Sequence, residues 1–139
     1  MIEVVVDTNV LVAAFRSSLG ASFQLLQSLE TQSWRPVLSP TLAFEYEAVL
    51  KRLCDIGDLR TEDVDDFVEY FCSRAKLVQI YFRWRPILSD PDDDRIPEVA
   101  VRNRSPIVTF NAKDFDGSET LGVRILSPAE LLAIVRSKS

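Results

Sequence analysis

Ile2-Glu3-Val4-Val5-Val6-Asp7-Thr8-Asn9-Val10-Leu11 is the stretch on which the fold turns. Four of its first five residues are apolar and β-branched, the pattern of a strand buried on both faces rather than one alternating between core and water. The run stops at Asp7-Thr8-Asn9, three residues that favour helix N-caps, and Val10 to Phe15 then reads as a first helix. A buried strand that passes straight into a helix is the opening of a parallel α/β sheet.

The rest of the chain repeats the alternation. Ala21 to Thr31 reads as a helix and Pro36-Val37-Leu38 as a short strand. Ser39-Pro40 sets a capping hydroxyl before a proline at the first helical position, launching a helix to about Leu53, with Gly57 as the break. Thr61 to Lys76 carries Val64, Phe67, Val68, Phe71 and Cys72 on a helical stripe. Leu77 to Tyr81 reads as a strand and Arg83 to Pro86 as a loop, and the acidic run Asp90-Pro91-Asp92-Asp93-Asp94 opens a helix ending near Asn103. Strands are expected at Pro106–Thr109 and Val123–Leu126, and the capping box Ser127-Pro128-Ala129-Glu130 starts a last helix. The expected fold is α/β: a Rossmann-like three-layer α/β/α arrangement around a central parallel sheet, with residues 1–139 forming one domain.

Composition excludes several classes of function. The chain has 139 residues, 47% hydrophobic and 27% charged, which is globular usage rather than that of a disordered chain. It contains no histidine, so Ser-His-Asp and Cys-His nucleophile systems and His-bound zinc are out. Two cysteines, Cys54 and Cys72, are too few for a four-thiolate zinc site and read as reduced thiols. The four glycines stand in no phosphate-cradling spacing. Neither a signal peptide nor a membrane span is recognisable, so a cytoplasmic protein without membrane attachment is expected. The net charge of −5 gives no general field that would draw in nucleic acid. The chemistry left is that of carboxylates.

Functional groups in open parallel sheets gather at the carboxyl ends of strands. Asp7 stands where the first strand stops. Glu45 shares the helix face of Leu42, Tyr46 and Val49, whereas Glu47 points about 200° away, at about 100° per residue. A glutamate on an apolar face is costly unless paired or bound to a cation. Asp94 lies seven positions before Val101, near the buried edge of its helix and close to that helix's start, with Pro97 limiting how early the helix begins. Thr109, Asn111, Asp114 and Asp116 follow another strand end. Capping, turn formation and solvation are the ordinary roles of such residues taken singly. Together they set oxygen ligands from four chain segments at one end of one sheet. Crowded carboxylates repel unless a cation neutralises them, and an all-oxygen set suits a hard ion, Mg²⁺ or Mn²⁺. Such a site hydrolyses phosphodiesters by activating water and stabilising the leaving oxygen.

At these residues the sequence resembles the PIN-domain ribonucleases, especially the toxin branch of bacterial toxin–antitoxin modules, over nearly the whole chain from Val4 to about Val135. The matching pieces are Val-Val-Asp7-Thr-Asn9-Val-Leu, Ser39 with Glu45 and Val49-Leu50, Asp90-Pro-Asp-Asp-Asp94, Ile107-Val108-Thr109 with Asn111 and Asp114, and Leu-Ser-Pro-Ala-Glu near the end. The resemblance implies a Rossmann-like sheet, a Mg²⁺ or Mn²⁺ site, endoribonuclease activity, frequent homodimers and an inhibiting antitoxin protein. By position, Asp7, Glu45 and Asp94 match the family's metal-binding acids, and Thr109 or Asn9 would orient ligands or water. Asn111 stands where many relatives have aspartate, and Asp114 is the acid that could take over. Arg16, Lys51, Arg52, Arg102 and Lys113 are candidates to contact the RNA backbone. Two other functions remain open at this point: a PIN-like RNA- or protein-binding scaffold that has lost turnover, to which Asn111 points, and a phosphatase with an aspartyl nucleophile. The second would want Asp-x-Asp at the strand end, where this chain has Asp7-Thr8-Asn9.

Overall fold

Val4, Val5 and Val6 have no exposed surface at all, and the strand they belong to, β1 (Ile2–Val6), lies in the middle of a sheet that has five strands among the described residues. The computed structural model describes residues 1–57, 59–79, 95–115 and 122–137. The sheet is completed by β2 (Trp34–Leu38), β3 (Lys76–Leu77), β4 (Ile107–Val108) and β5 (Ile125–Leu126), in the order β3-β2-β1-β4-β5, and every pairing is parallel. Parallel strands need crossover connections, and the described helices supply them: α1 (Thr8–Arg16), α2 (Ala21–Gln27), α3 (Pro40–Asp55), α4 (Thr61–Arg74), α5 (Arg95–Asn103) and α6 (Pro128–Ser137). The result is the expected three-layer α/β/α fold.

Register follows from burial. Val4 pairs with Pro36 on one side of β1, and Val5 and Val6 pair with Ile107 and Val108 on the other. Pro36 has no N–H to give, yet it sits in an interior strand. The carbonyl of Leu38 accepts from Val78 on the β3 side, and residues two apart in a strand face the same neighbour, so Pro36 also faces β3. Pairing with β3 begins only opposite Val37, so the missing donor falls at the mouth of that ladder. β4 is shorter than Pro106–Thr109, but its bonding is not: Pro106 accepts from Val5, and Thr109 donates to Leu126, both at 2.9 Å.

The caps are where the sequence puts them. Ser39 Oγ accepts from the Leu42 N–H at 3.2 Å, with Pro40 at the first turn. α3 then buries Leu42, Tyr46, Leu50 and Leu53, a single stripe at helical spacing. Ser127 and Glu130 form the reciprocal box before α6, at 2.9 and 3.1 Å. Gly57, with φ of 85°, ends the α3 region in a conformation that suits glycine. The helix expected to run to Thr31 stops at Gln27 and tightens into a 3₁₀ turn over Ser28–Thr31. Ser28 is the cause: its hydroxyl donates back to the Leu25 carbonyl at 2.6 Å and accepts from Trp34 Nε1 at 2.8 Å, which draws the chain round into β2.

One contiguous cluster of buried apolar side chains spans the sheet and the helices. Edge-to-face contacts between Phe15 and Phe67 and between Tyr46 and Phe71 tie α1 and α3 to α4. Among the described residues no helix is long and apolar enough to cross a membrane. The far end of the expected strand at Leu77–Tyr81, the loop Arg83–Pro86, the acidic run Asp90–Asp94 and Asp116 lie outside the described residues.

Candidate active site

Strand order reverses about β1: its neighbour β2 leads outward to β3, and its other neighbour β4 leads outward to β5. The crevice beyond the carboxyl ends of such a pair is where open α/β sheets bind ligands. Asp7 is the first residue past β1, and Thr109 the first past β4.

Asp7 occupies the N-cap position of α1, and its carbonyl accepts from the Val10 N–H at 3.0 Å, but its side chain makes no cap bond. The carboxylate turns instead across the sheet, where Thr109 Oγ1 donates to Oδ2 at 2.6 Å, a length typical of a hydroxyl on an ionised carboxylate. The same threonine oxygen accepts from the Asn111 N–H at 3.0 Å and, at the limit of bonding distance, from Asn9 Nδ2 at 3.5 Å. Thr109 is only 3% exposed, so water does not share this work. Asn9 Oδ1 is buried with no hydrogen-bond partner among the described residues.

Glu45 reaches the same place from α3. The helix is fixed to the end of β1 by Tyr46, whose hydroxyl donates to the Val6 carbonyl beside Asp7. Burial, followed by the negative fields of Asp7 and Glu45, pushes the Tyr46 phenol well above its ordinary range, so both carboxylates act on one buried hydroxyl. Asp7, Asn9, Arg16, Glu45 and Val49 line one cleft of about 650 Å³. Arg95, the first residue of α5, brings Nη1 to 3.8 Å from Glu45 Oε2. A second cavity, about 390 Å³, lies beside Ser105, Pro106 and Arg124 at the amino ends of β4 and β5, and its described lining holds no carboxylate.

The structure therefore brings together Asp7, Asn9, Glu45, Thr109 and the backbone of Asn111, with Arg16 on the cleft wall. Asp94 lies outside the described residues. Asp114 is exposed on a 3₁₀ turn (Ala112–Phe115) whose anchor is the buried Phe115, and it is not among the described residues that line the cleft. Of the cations, Lys51 is held by Glu47 at 2.9 Å and Asp65 at 3.2 Å between α3 and α4, while Arg52, Arg102 and Lys113 are exposed. Neither Tyr46 nor Arg95 stands out in the sequence. Tyr46 hides in the apolar stripe of α3, and Arg95 reads as a solvated charge after an acidic run; the only signal for either was its place next to Glu45 or Asp94.

Among the described residues no three of His, Cys, Asp and Glu gather as a metal-binding group. Asp7 and Glu45 line one cleft, and the solvent-shielded Asn9 Oδ1 adds an oxygen that lacks a donor among the described residues. These donors are hard and anionic or neutral oxygens, which fit a divalent ion of the Mg²⁺ or Mn²⁺ kind and would not select a soft one.

A family model for the PIN domain matches residues 3–113, a span that includes Asp7, Glu45 and Thr109 and ends one residue before Asp114. No curated protein and no solved structure matches the chain.

Proposed function

The chain belongs to the PIN domain family, whose members are generally nucleases, and from that premise we propose that it is a Mg²⁺- or Mn²⁺-dependent endoribonuclease that hydrolyses RNA phosphodiester bonds. The observation that carries the reading is the convergence of Asp7 and Glu45 on one cleft between α1 and α3 at the end of β1, with the Thr109 hydroxyl locked onto Asp7.

Asp7 and Glu45 would hold the ion, with Asp94 as the third acid on the strength of its match to the family pattern. A bound divalent ion supplies Lewis-acid chemistry, acidifying water and stabilising the leaving oxygen. The protein's own part is positional. Thr109 fixes the rotamer of the Asp7 carboxylate, and Tyr46 holds α3, and thus Glu45, against the end of β1. Arg16 gives the cleft a cation for the phosphate backbone, which makes the net charge of −5 compatible with a polyanionic substrate. Phe110 follows Thr109 directly and is 52% exposed, and Phe44 directly precedes Glu45 and is 72% exposed. Exposed aromatic rings offer faces on which unpaired bases stack, which favours single-stranded RNA.

The motif set that resembles the toxin branch supports a finer reading: a cytoplasmic toxin restrained by a small antitoxin protein and working as a homodimer. Asn111 in place of aspartate, with Asp114 exposed on its turn, favours one alternative, a PIN-like scaffold that binds RNA or protein without cutting it. Cleavage of end-labelled single-stranded RNA, titrated with Mn²⁺ and Mg²⁺ and quenched by chelator, separates the two. The nuclease reading expects cleavage by the native chain and a loss of about 100-fold or more in Asp7→Asn and Glu45→Gln, as for ligands acting as a unit. A folded native chain that binds RNA but leaves it intact at every metal concentration is the scaffold.

A further inference from the structure

We propose that Arg95 is a built-in counter-ion of the Glu45 carboxylate, holding it while no divalent ion is bound and giving way when one binds. The inference rests on the nuclease reading above, which supplies the ion.

Three observations lead to it. First, the Arg95–Glu45 pair is loose. At 3.8 Å it is too long for a hydrogen bond but well within ionic attraction, whereas Lys51 sits at 2.9 and 3.2 Å from its two partners. Second, the pair is half-sheltered: the side chains are 33% and 23% exposed, and Glu45 Oε2 itself is shut off from solvent. A charge taken that far out of water demands compensation. Third, Glu45 does not stand alone, because Asp7 lines the same cleft. Two carboxylates facing one cleft repel each other, and a guanidinium beside one of them lowers that repulsion. An attraction without a fixed hydrogen bond does this with little geometric commitment, so it can be exchanged. A guanidinium left beside a bound divalent ion would repel it, and the partly exposed Arg95 side chain can turn towards solvent or towards a substrate phosphate.

Arg95 is thus a positioning residue that sets how tightly the site takes its ion. The test is calorimetric titration of Mn²⁺ alone into the full chain and into Arg95→Gln and Arg95→Lys, with melting curves of each metal-free protein to verify folding. Arg95→Gln should bind Mn²⁺ about fivefold more tightly, the factor that a partly exposed ion pair carries. Arg95→Lys, which keeps the charge, should stay within about twofold of the native chain. A purely structural role for Arg95 would lower the melting temperature and loosen Mn²⁺ binding. Equal affinity in all three proteins, or weaker binding by Arg95→Gln, overturns the counter-ion role and leaves the nuclease reading standing. Absence of Mn²⁺ binding from all three overturns both.

Discussion

Thr109→Val exchanges a hydroxyl for a methyl of nearly the same size, so packing is preserved and only the oxygen is lost. That oxygen gives 2.6 Å to Asp7 Oδ2, takes 3.0 Å from the Asn111 N–H and stands 3.5 Å from Asn9 Nδ2. A hydrogen bond to a charged group is worth about 1.5–3 kcal/mol, and an abandoned backbone donor adds about 1 kcal/mol; the 3.5 Å contact adds little. At 3% exposure no water replaces the oxygen. The sum is about 3 kcal/mol, which for a chain of this length lowers the melting temperature by about 10 °C. Thr109→Ser keeps the oxygen and removes one methyl, a cost of about 1 kcal/mol, or about 4 °C. Thermal unfolding followed by circular dichroism in chelator, at neutral pH, reads the stabilities apart from any metal. In the cleavage assay serine should act nearly as the native residue, while valine loses about 10- to 100-fold, the usual penalty for removing a group that orients a ligand. A valine variant that melts at or above the serine variant would show that the hydroxyl network does not hold the end of the sheet.

Tyr46→Phe leaves the Val6 carbonyl without its donor and should cost about 1–2 kcal/mol. Because the Tyr46 phenol is raised in the fold, stability is intact below its ordinary value of 10.0 and is lost as pH climbs above it; denaturant midpoints should therefore fall less steeply above pH 10.0 in Tyr46→Phe than in the native chain. Glu3 is lowered, first by the Asn103 side-chain hydrogen bond and then by Arg35 and Lys76, so its contribution is present above 4.5 and disappears as pH drops below that value. Acid titration of Glu3→Gln should show a shallower loss of stability in that window, and parallel curves would count against the network. If bases stack on these two exposed rings, the Phe44→Ala, Phe110→Ala double variant raises KM for single-stranded RNA about tenfold, the factor expected of a stacked base, with kcat and melting temperature little changed.

The fold was legible because its signals are local. The valines of β1, the Ser39-Pro40 start and the Ser127–Glu130 box each act within a few residues, and each does in the structure what the sequence implies. The helix expected to reach Thr31 failed for a local reason as well, but one completed by Trp34, beyond the helix itself. The site divides along the same line. Asp7 and Glu45 could be read from their positions at a strand end and on an apolar helix face. The direction of the Asp7 side chain could not, because capping α1 and meeting Thr109 are equally available from the N-cap position, and only the long-range neighbour decides. Asp114 follows a strand end as a rim residue should, yet the 3₁₀ turn spends its inward position on Phe115 and leaves the preceding carboxylate outside.

That long-range neighbour is itself a consequence of strand register. Val6 pairs with Val108 in parallel, so the next residues along, Asp7 and Thr109, arrive side by side although they are 102 positions apart in the chain. A slip of one residue would carry Thr109 into the place of Val108 or Pro106 into that of Ile107, both places now filled by apolar side chains with no exposed surface, and would bring Phe110 or Val108 to Asp7. The burial of those two residues, together with Val5 and Val6, thus selects the register that places a hydroxyl on the carboxylate. The same hydrophobic selection fixes α3 through Leu42, Leu50 and Tyr46, and Tyr46 spans both roles, buried in the core and bonded to the strand end beside Asp7. A polar site assembled from distant segments is held in place here by apolar burial, and core substitutions that loosen β1 against β4 should weaken the site before they unfold the chain.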